Sequence, residues 1–150
     1  MTCVASTFTL VTETRHDATD LFGMSLDIDA HVASMSQSRE RAVGGVTTGR
    51  IGLGETVTWR ARHFGIWFTM TSRITALEEP VRFVDQQESG PFKIFIHEHR
   101  FEPLPTGTRM IDTVTVGSPI FGAPAERLVL VPYLRRLIAR RNALLIAALD

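Results

Sequence analysis

Thr108-Arg-Met-Ile-Asp-Thr-Val-Thr-Val116, then Gly117-Ser-Pro-Ile-Phe-Gly-Ala-Pro124 and the run on to Leu149, contains the change of period that decides the fold. Met110, Asp112, Val114 and Val116 share one phase of a period-two pattern, which reads as a half-buried strand. Beyond Pro124 the spacing turns helical. Leu128, Val131, Leu134, Leu137, Ile138, Leu145 and Leu149 make one apolar stripe, while Arg127, Arg135, Arg136, Arg140 and Arg141 fall largely off it. Those arginines read as a solvated face, because cations late in a helix complement its dipole and no aromatic residue is interleaved to stack on RNA. Pro132, inside the run, predicts a kink, since it removes a backbone donor and crowds the preceding turn.

Upstream of this stretch the chain is mostly β. A first strand is expected over 7–14, and six more over 41–48, 56–64, 68–77, 81–88, 92–102 and 108–116. Glycine and proline punctuate the intervals, which favours short antiparallel connections. Two short helices fit between the first two strands. Asp17 offers an N-cap to one, with Gly23 as its stop, and Asp29 offers an N-cap to another running through His31 to Met35. Gly49, Gly52 and Gly54 look superficially like a phosphate cradle, but the following Val57-Thr-Trp59 is strand rather than helix, so the loop reads as a strand connection bordering a cavity mouth. A curved antiparallel sheet with a single long helix to cover it encloses a hollow, of the usual ligand-binding size of roughly 300–1,000 Å³.

Composition narrows the function classes. The 150 residues carry 16 basic and 16 acidic side chains, so no net field favours nucleic acid or an anionic membrane. The apolar fraction of 44% with 21% charged residues fits one globular domain over residues 1–150. Cys3 is the only cysteine, which excludes an intrachain disulfide framework and a cysteine zinc cluster. The N-terminal residues lack a signal-peptide pattern, and no apolar run approaches the ~20 residues of a membrane span, so a cytoplasmic location and no integral membrane segment are expected.

Several stretches resemble one family. They are Gly49-Arg-Ile-Gly-Leu-Gly54, Val57-Thr-Trp-Arg-Ala-Arg-His-Phe64, Arg82-Phe-Val-Asp-Gln-Gln87, Gly90-Pro-Phe-Lys93 leading into His97-Glu-His-Arg-Phe101, Gly107-Thr-Arg-Met110, and Ser118-Pro119. With the element order, these resemble the SRPBCC superfamily, which includes START domains, birch-pollen-allergen-like proteins and polyketide cyclases, and in particular an uncharacterised bacterial ligand-binding branch. The resemblance implies an α+β helix-grip fold, with a seven-stranded curved antiparallel sheet wrapped around the C-terminal helix. It implies binding or transport of a small, mainly hydrophobic molecule (lipid, polyketide or isoprenoid-like), with no cofactor. The alternatives it leaves open are a polyketide cyclase or dehydratase-like enzyme and a partner-binding regulatory protein.

Strand parity then nominates the residues of the hollow. His63 shares a face with Trp59 and Ala61, His97 and His99 share one with Phe95 and Phe101, and Asp112 shares one with Met110 and Val114. Val81 and Phe83 place Asp85 and Gln87 inward. Trp59, Trp67, Phe68, Met70, Phe83 and Phe95 supply bulk around the hollow, whereas Arg60 and Arg62 take the opposite face. The expected ligand-binding set is therefore His63, His97, His99, Asp112, Asp85, Trp59, Phe83, Phe95 and Met70, an apolar body over a polar floor. His-x-His with His63 would suit a tri-histidine centre; that spacing alone assigns no metal. A histidine paired with Asp112 or Asp85 would suit proton transfer. His31 is a candidate polar group at the entrance, which is expected near the two short helices and the glycine loop.

Overall fold

A computed structural model describes residues 5–118 and 122–150. Cys3 and the residues 119–121 of the expected turn before the last helix lie outside the described residues.

Seven strands form one antiparallel sheet in the order β1-β7-β6-β5-β4-β3-β2. They are β1 (Ser6–Thr14), β2 (Arg41–Gly45), β3 (Thr56–His63), β4 (Ile66–Glu78), β5 (Arg82–Ser89), β6 (Ile94–Leu104) and β7 (Gly107–Gly117). The helices are α1 (Ala18–Leu26), α2 (Ile28–Ser34), α3 (Gly122–Ala125) and α4 (Val131–Leu149). This is the helix-grip arrangement, with α4 as the gripped helix. No helix among the described residues is long and apolar enough to cross a membrane.

Register decides which side chains face α4. The β6–β7 pairing runs without a shift, setting His97 opposite Val114 and His99 opposite Asp112. Along β6, Phe95, His97, His99 and Phe101 are accordingly all buried. Bulges occur elsewhere, at Ala42/Gly44 in the β2–β3 pair and at Thr71/Ser72 and Ile74/Ala76 in the β4–β5 pair. They bend the sheet, and the one at Ile74/Ala76 reverses the phase of β4 so that Leu77 packs on the same core as Ile74, while the β6–β7 register is untouched.

Several local expectations change. Gly23 does not stop α1, which continues to Leu26. Burial of Leu21, Phe22 and Leu26 against the sheet outweighs the ~1 kcal/mol that a helical glycine costs. Asp17 does cap α1, accepting from Thr19 N at 2.8 Å. Asp27, not Asp29, caps α2 through Ala30 N at 2.8 Å, and Asp29 instead accepts from Gly49 N at 3.0 Å. Ile28 N to Gly49 O and Ile51 N to Leu26 O, at 2.8 and 3.1 Å, fasten the glycine loop to the α1–α2 junction. Ile28 and Ile51 are buried in the core beneath this junction.

The break expected at Pro132 lies one turn earlier. Residues Glu126–Leu130 form a wide π turn, and the Val131 N–H donates to Glu126 O, five residues back. Pro132 then occupies the first turn of α4, where its missing donor is tolerated. The wide turn changes the helical phase, so Leu128 points to solvent (77% exposed) instead of extending the stripe. Leu134, Ile138 and Leu145 keep it. Arg141 lies on the same face at 3% exposure, contrary to its expected place among the solvated arginines.

Candidate functional site

A cavity of about 790 Å³ lies between the sheet and α4. Its wall is mainly apolar, including Trp59, Phe68, Met70, Phe83, Phe95 and Leu134. At one end, Phe22 packs edge-on against Phe83 and Phe101 (5.6 and 5.4 Å). The opposite end is bordered by Phe64 and Ile66 of the β3–β4 hairpin, Pro91 and Phe92 of the β5–β6 turn, and Val129 and Leu130 of the π turn. Phe64, Ile66 and Val129 are each more than half exposed, so the apolar lining continues outward there.

The polar floor is built by three adjacent strands and the helix. Asp112 of β7 accepts from His97 Nε2 at 2.8 Å and from Asn142 Nδ2 at 2.7 Å. Arg141 lies 3.7 Å from the same carboxylate and donates to Asn142 Oδ1 at 3.1 Å. Asn142 also reaches Thr12 Oγ1 of β1 at 3.3 Å, so one buried network ties β1, β6, β7 and α4 together. Beside it, His99 Nε2 donates to Asp85 Oδ2 at 2.7 Å, and the His99 ring stacks between Phe83 (4.1 Å) and His97 (3.7 Å). His99 Nδ1 is buried without a hydrogen-bond partner and stands 3.4 Å from Asp112 Oδ1.

Electrostatics fix most charge states on this floor. Burial, with His97 and Arg141 nearby, drives the His99 imidazole down to about 3 despite its bond to Asp85, so it is neutral near pH 7. Burial by itself would raise Asp112, but the hydrogen bond and attraction of His97, reinforced by Arg141, hold it well below the usual carboxylate range. Asp85 is lowered in the same way against burial, chiefly by the His99 hydrogen bond. Both aspartates are therefore ionised.

A second polar feature crosses the open end. His63 Nδ1 and the Tyr133 hydroxyl of α4 are hydrogen-bonded at 2.6 Å, and Phe64 packs on the Tyr133 ring at 4.5 Å. Burial lowers the His63 pKa. Deeper in the wall, His31 Nε2 pairs with Glu40 Oε1 at 2.8 Å and its ring lies 4.4 Å from Trp59.

Of the residues nominated from sequence, His63, His97, His99, Asp85, Trp59, Phe83, Phe95 and Met70 all border the cavity. Asp112 sits behind His97 and acts on the cavity through it. His63 is not part of the compact floor: the donor cluster with metal-like spacing is Asp85, His97 and His99, so a tri-histidine centre does not form. Trp67 is on the outer face, 40% exposed beneath Arg60 at 5.2 Å, because it lies one residue out of phase with Phe68. Gln87 braces the β5–β6 turn, bonding Phe92 O at 2.8 Å, and Val81 is an exposed residue ahead of β5. Sequence reasoning misses Arg141, Asn142, Tyr133 and Glu40. The spacing 134, 138, 141, 145 is a signal for Arg141, but one that treating charge as solvent-seeking suppresses.

No family model and no curated protein matches the chain. Solved structures do. The protein TTHA0849 from Thermus thermophilus superposes with a TM-score of 0.74 at 18% identity, covering 98% of this chain and 100% of that one. Ara h 8.0201 gives 0.72 at 15% identity over 97% and 99%. Major latex-like protein 151 from Panax ginseng gives 0.70 at 13% identity over 96% and 97%. The chain shares the helix-grip fold of these structures. At these identities the likeness is one of fold, and the helix-grip chain's chemistry has to be read from its own side chains.

Proposed function

We propose that this helix-grip protein binds or transports a small, mainly hydrophobic molecule in the cavity between sheet and α4. The observation that carries the reading is the cavity itself: about 790 Å³ of space with a mainly apolar wall and a buried polar cluster at its floor. Such a wall rewards burial of apolar ligand surface at ~25 cal/mol per Å², and the floor gives the ligand an orientation. Trp59, Met70, Phe83 and Phe95 supply the apolar contact. His97, His99 and Asp85 supply the directional groups, with Asp112 holding His97 in place. The His63–Tyr133 bond spans the open end, where ligand enters.

Native mass spectrometry of freshly purified protein, followed by solvent extraction, tests this directly. A stoichiometric apolar adduct that is lost when Met70 and Phe95 are enlarged to tryptophan supports it. Absence of an adduct, together with no uptake of a neutral solvatochromic dye such as Nile red, refutes it.

One geometry favours an enzymatic second reading, of the cyclase or dehydratase type. His97 borders the cavity while its Nε2 is fixed on a buried, ionised carboxylate, the orientation that equips an imidazole to move a proton at its other nitrogen. Turnover abolished by His97→Gln with ligand affinity retained would distinguish this from carriage alone.

A further inference from the structure

The floor of the cavity contains a carboxylate that forms no ion pair with an arginine or lysine among the described residues. Arg141 and Asp112 face each other at 3.7 Å and balance. Asp85 has a single polar partner among the described residues, the Nε2–H of His99, and no arginine or lysine forms an ion pair with it. Its second oxygen, Oδ1, accepts no hydrogen bond among the described residues, although the side chain keeps 23% of its surface accessible beside the cavity. A carboxylate enclosed by apolar walls is costly unless a cation or several donors meet it.

Other polar atoms of the floor are also unpartnered among the described residues. His99, 5% exposed, spends its only N–H on Asp85, so its orphaned Nδ1 is a lone pair. Ser72 Oγ, in a residue 2% exposed that borders the cavity, has no partner either. Among the described residues, Arg141 is the one arginine or lysine of the lining; it is turned to Asn142 and Asp112, and its Nε is a buried donor without a partner. Two carboxylates, Asp85 and Asp112, thus share the floor with one guanidinium, and Asp85 is the one left without an ion pair to it among the described residues.

We propose that the ligand is an apolar amine, bound in its protonated form with the ammonium against Asp85 Oδ1 and its hydrocarbon along Phe83, Met70 and Trp59. This rests on the ligand-binding reading of the cavity and specifies the chemistry of its occupant. An apolar carboxylic acid would bring a second negative charge beside Asp85. An alcohol would donate one bond and leave the charge uncompensated. A divalent metal is the competing cation, since donor atoms of Asp85, His97 and His99 lie within 4.8 Å of one another. Against it, a cavity of about 790 Å³ is far larger than an ion needs, and its mainly apolar wall offers an ion no ligands.

Displacement of Nile red by octylamine, octanol and octanoic acid near neutral pH separates these classes at equal chain length, the amine being protonated and the acid ionised. Octylamine is expected to displace the dye at a concentration at least about tenfold below that of octanol, with octanoic acid weakest. Asp85→Asn keeps the shape and an acceptor for His99, and is expected to abolish the preference for amine over alcohol. The wild-type ranking stands as a test by itself if that variant does not fold. Octanoic acid matching octylamine, a preference that survives Asp85→Asn, or stoichiometric Zn²⁺ that blocks octylamine would each overturn the amine assignment and leave the cavity reading intact. Failure of the dye and all three probes to enter would overturn both.

Discussion

Replacing Asp112 by asparagine tests the buried network most severely, because volume is kept and only charge and acceptor capacity change. Asp112 is 2% exposed, accepts two hydrogen bonds of 2.8 and 2.7 Å, and balances Arg141, itself 3% exposed. The amide retains one acceptor oxygen, so its NH₂ group must confront a donor from either His97 or Asn142. It also strands the guanidinium of Arg141 in the interior. Removing one partner of a buried charge pair typically costs ~3–5 kcal/mol, a large share of the ~5–15 kcal/mol that holds a domain folded. For a chain of this size each kcal/mol moves the melting temperature by about 2–4 °C, so a fall of roughly 6–20 °C is expected in a far-UV circular dichroism melt. Urea unfolding should show the same loss at unchanged m-value. A loss below ~1 kcal/mol, the range of ordinary substitutions, would show that Arg141 finds another counter-charge and that the network does not hold α4 to the sheet.

Other consequences follow from the same geometry. His99 titrates at 6.5 when unfolded and is lowered to about 3 when folded, so the unfolded chain binds the extra proton between these values. Its contribution to stability is therefore present above pH 6.5 and lost as pH falls toward 3, with the lowered Asp85 and Asp112 contributions lost at still lower pH. Urea midpoints measured down the acid limb should fall before the carboxylates titrate, and His99→Gln should flatten that early part. Tyr133→Phe removes the 2.6 Å bond to His63 across the open end, and dye release measured by stopped flow should quicken several-fold with little change in melting temperature. Gly45→Ala and Gly49→Ala make a matched pair, at φ 66° and 69°. A Cβ at Gly45 would meet Thr56 O at 2.2 Å whereas one at Gly49 meets nothing within 4 Å, so urea unfolding should find Gly45→Ala clearly more destabilising than the ~1–2 kcal/mol expected of left-handed strain alone.

Strand parity explains how much of the site is legible beforehand. A two-residue period leaves only two choices for a strand, and Phe95 with Phe101 makes that choice for His97 and His99. The unbroken β6–β7 register preserves it. At Trp67 bulk suggests burial, but parity prevails, since its phase opposes that of Phe68 and Met70. Gly23 and Asp29 depart from expectation because local turn and cap preferences, worth about 1 kcal/mol, yield to the burial of several side chains.

By itself, then, the sequence determined the antiparallel sheet, the gripping helix and the inward face of the central strands, since each follows from periodicity and is enforced by burial. Tertiary structure alone decided the rest. Helical phase turns by about 100° per residue, so the π turn at Glu126–Leu130 could carry Leu128 out to solvent while α4 kept its own phase, a geometry invisible to composition. Burial of Arg141 and Asn142 depends on Asp112, distant in sequence, offering a counter-charge and an acceptor at the right height on the sheet. The exposed carboxylate oxygen of Asp85 emerges only when every neighbour has been assigned a partner. Polar burial is a property of pairs, and the folded chain makes the pairs.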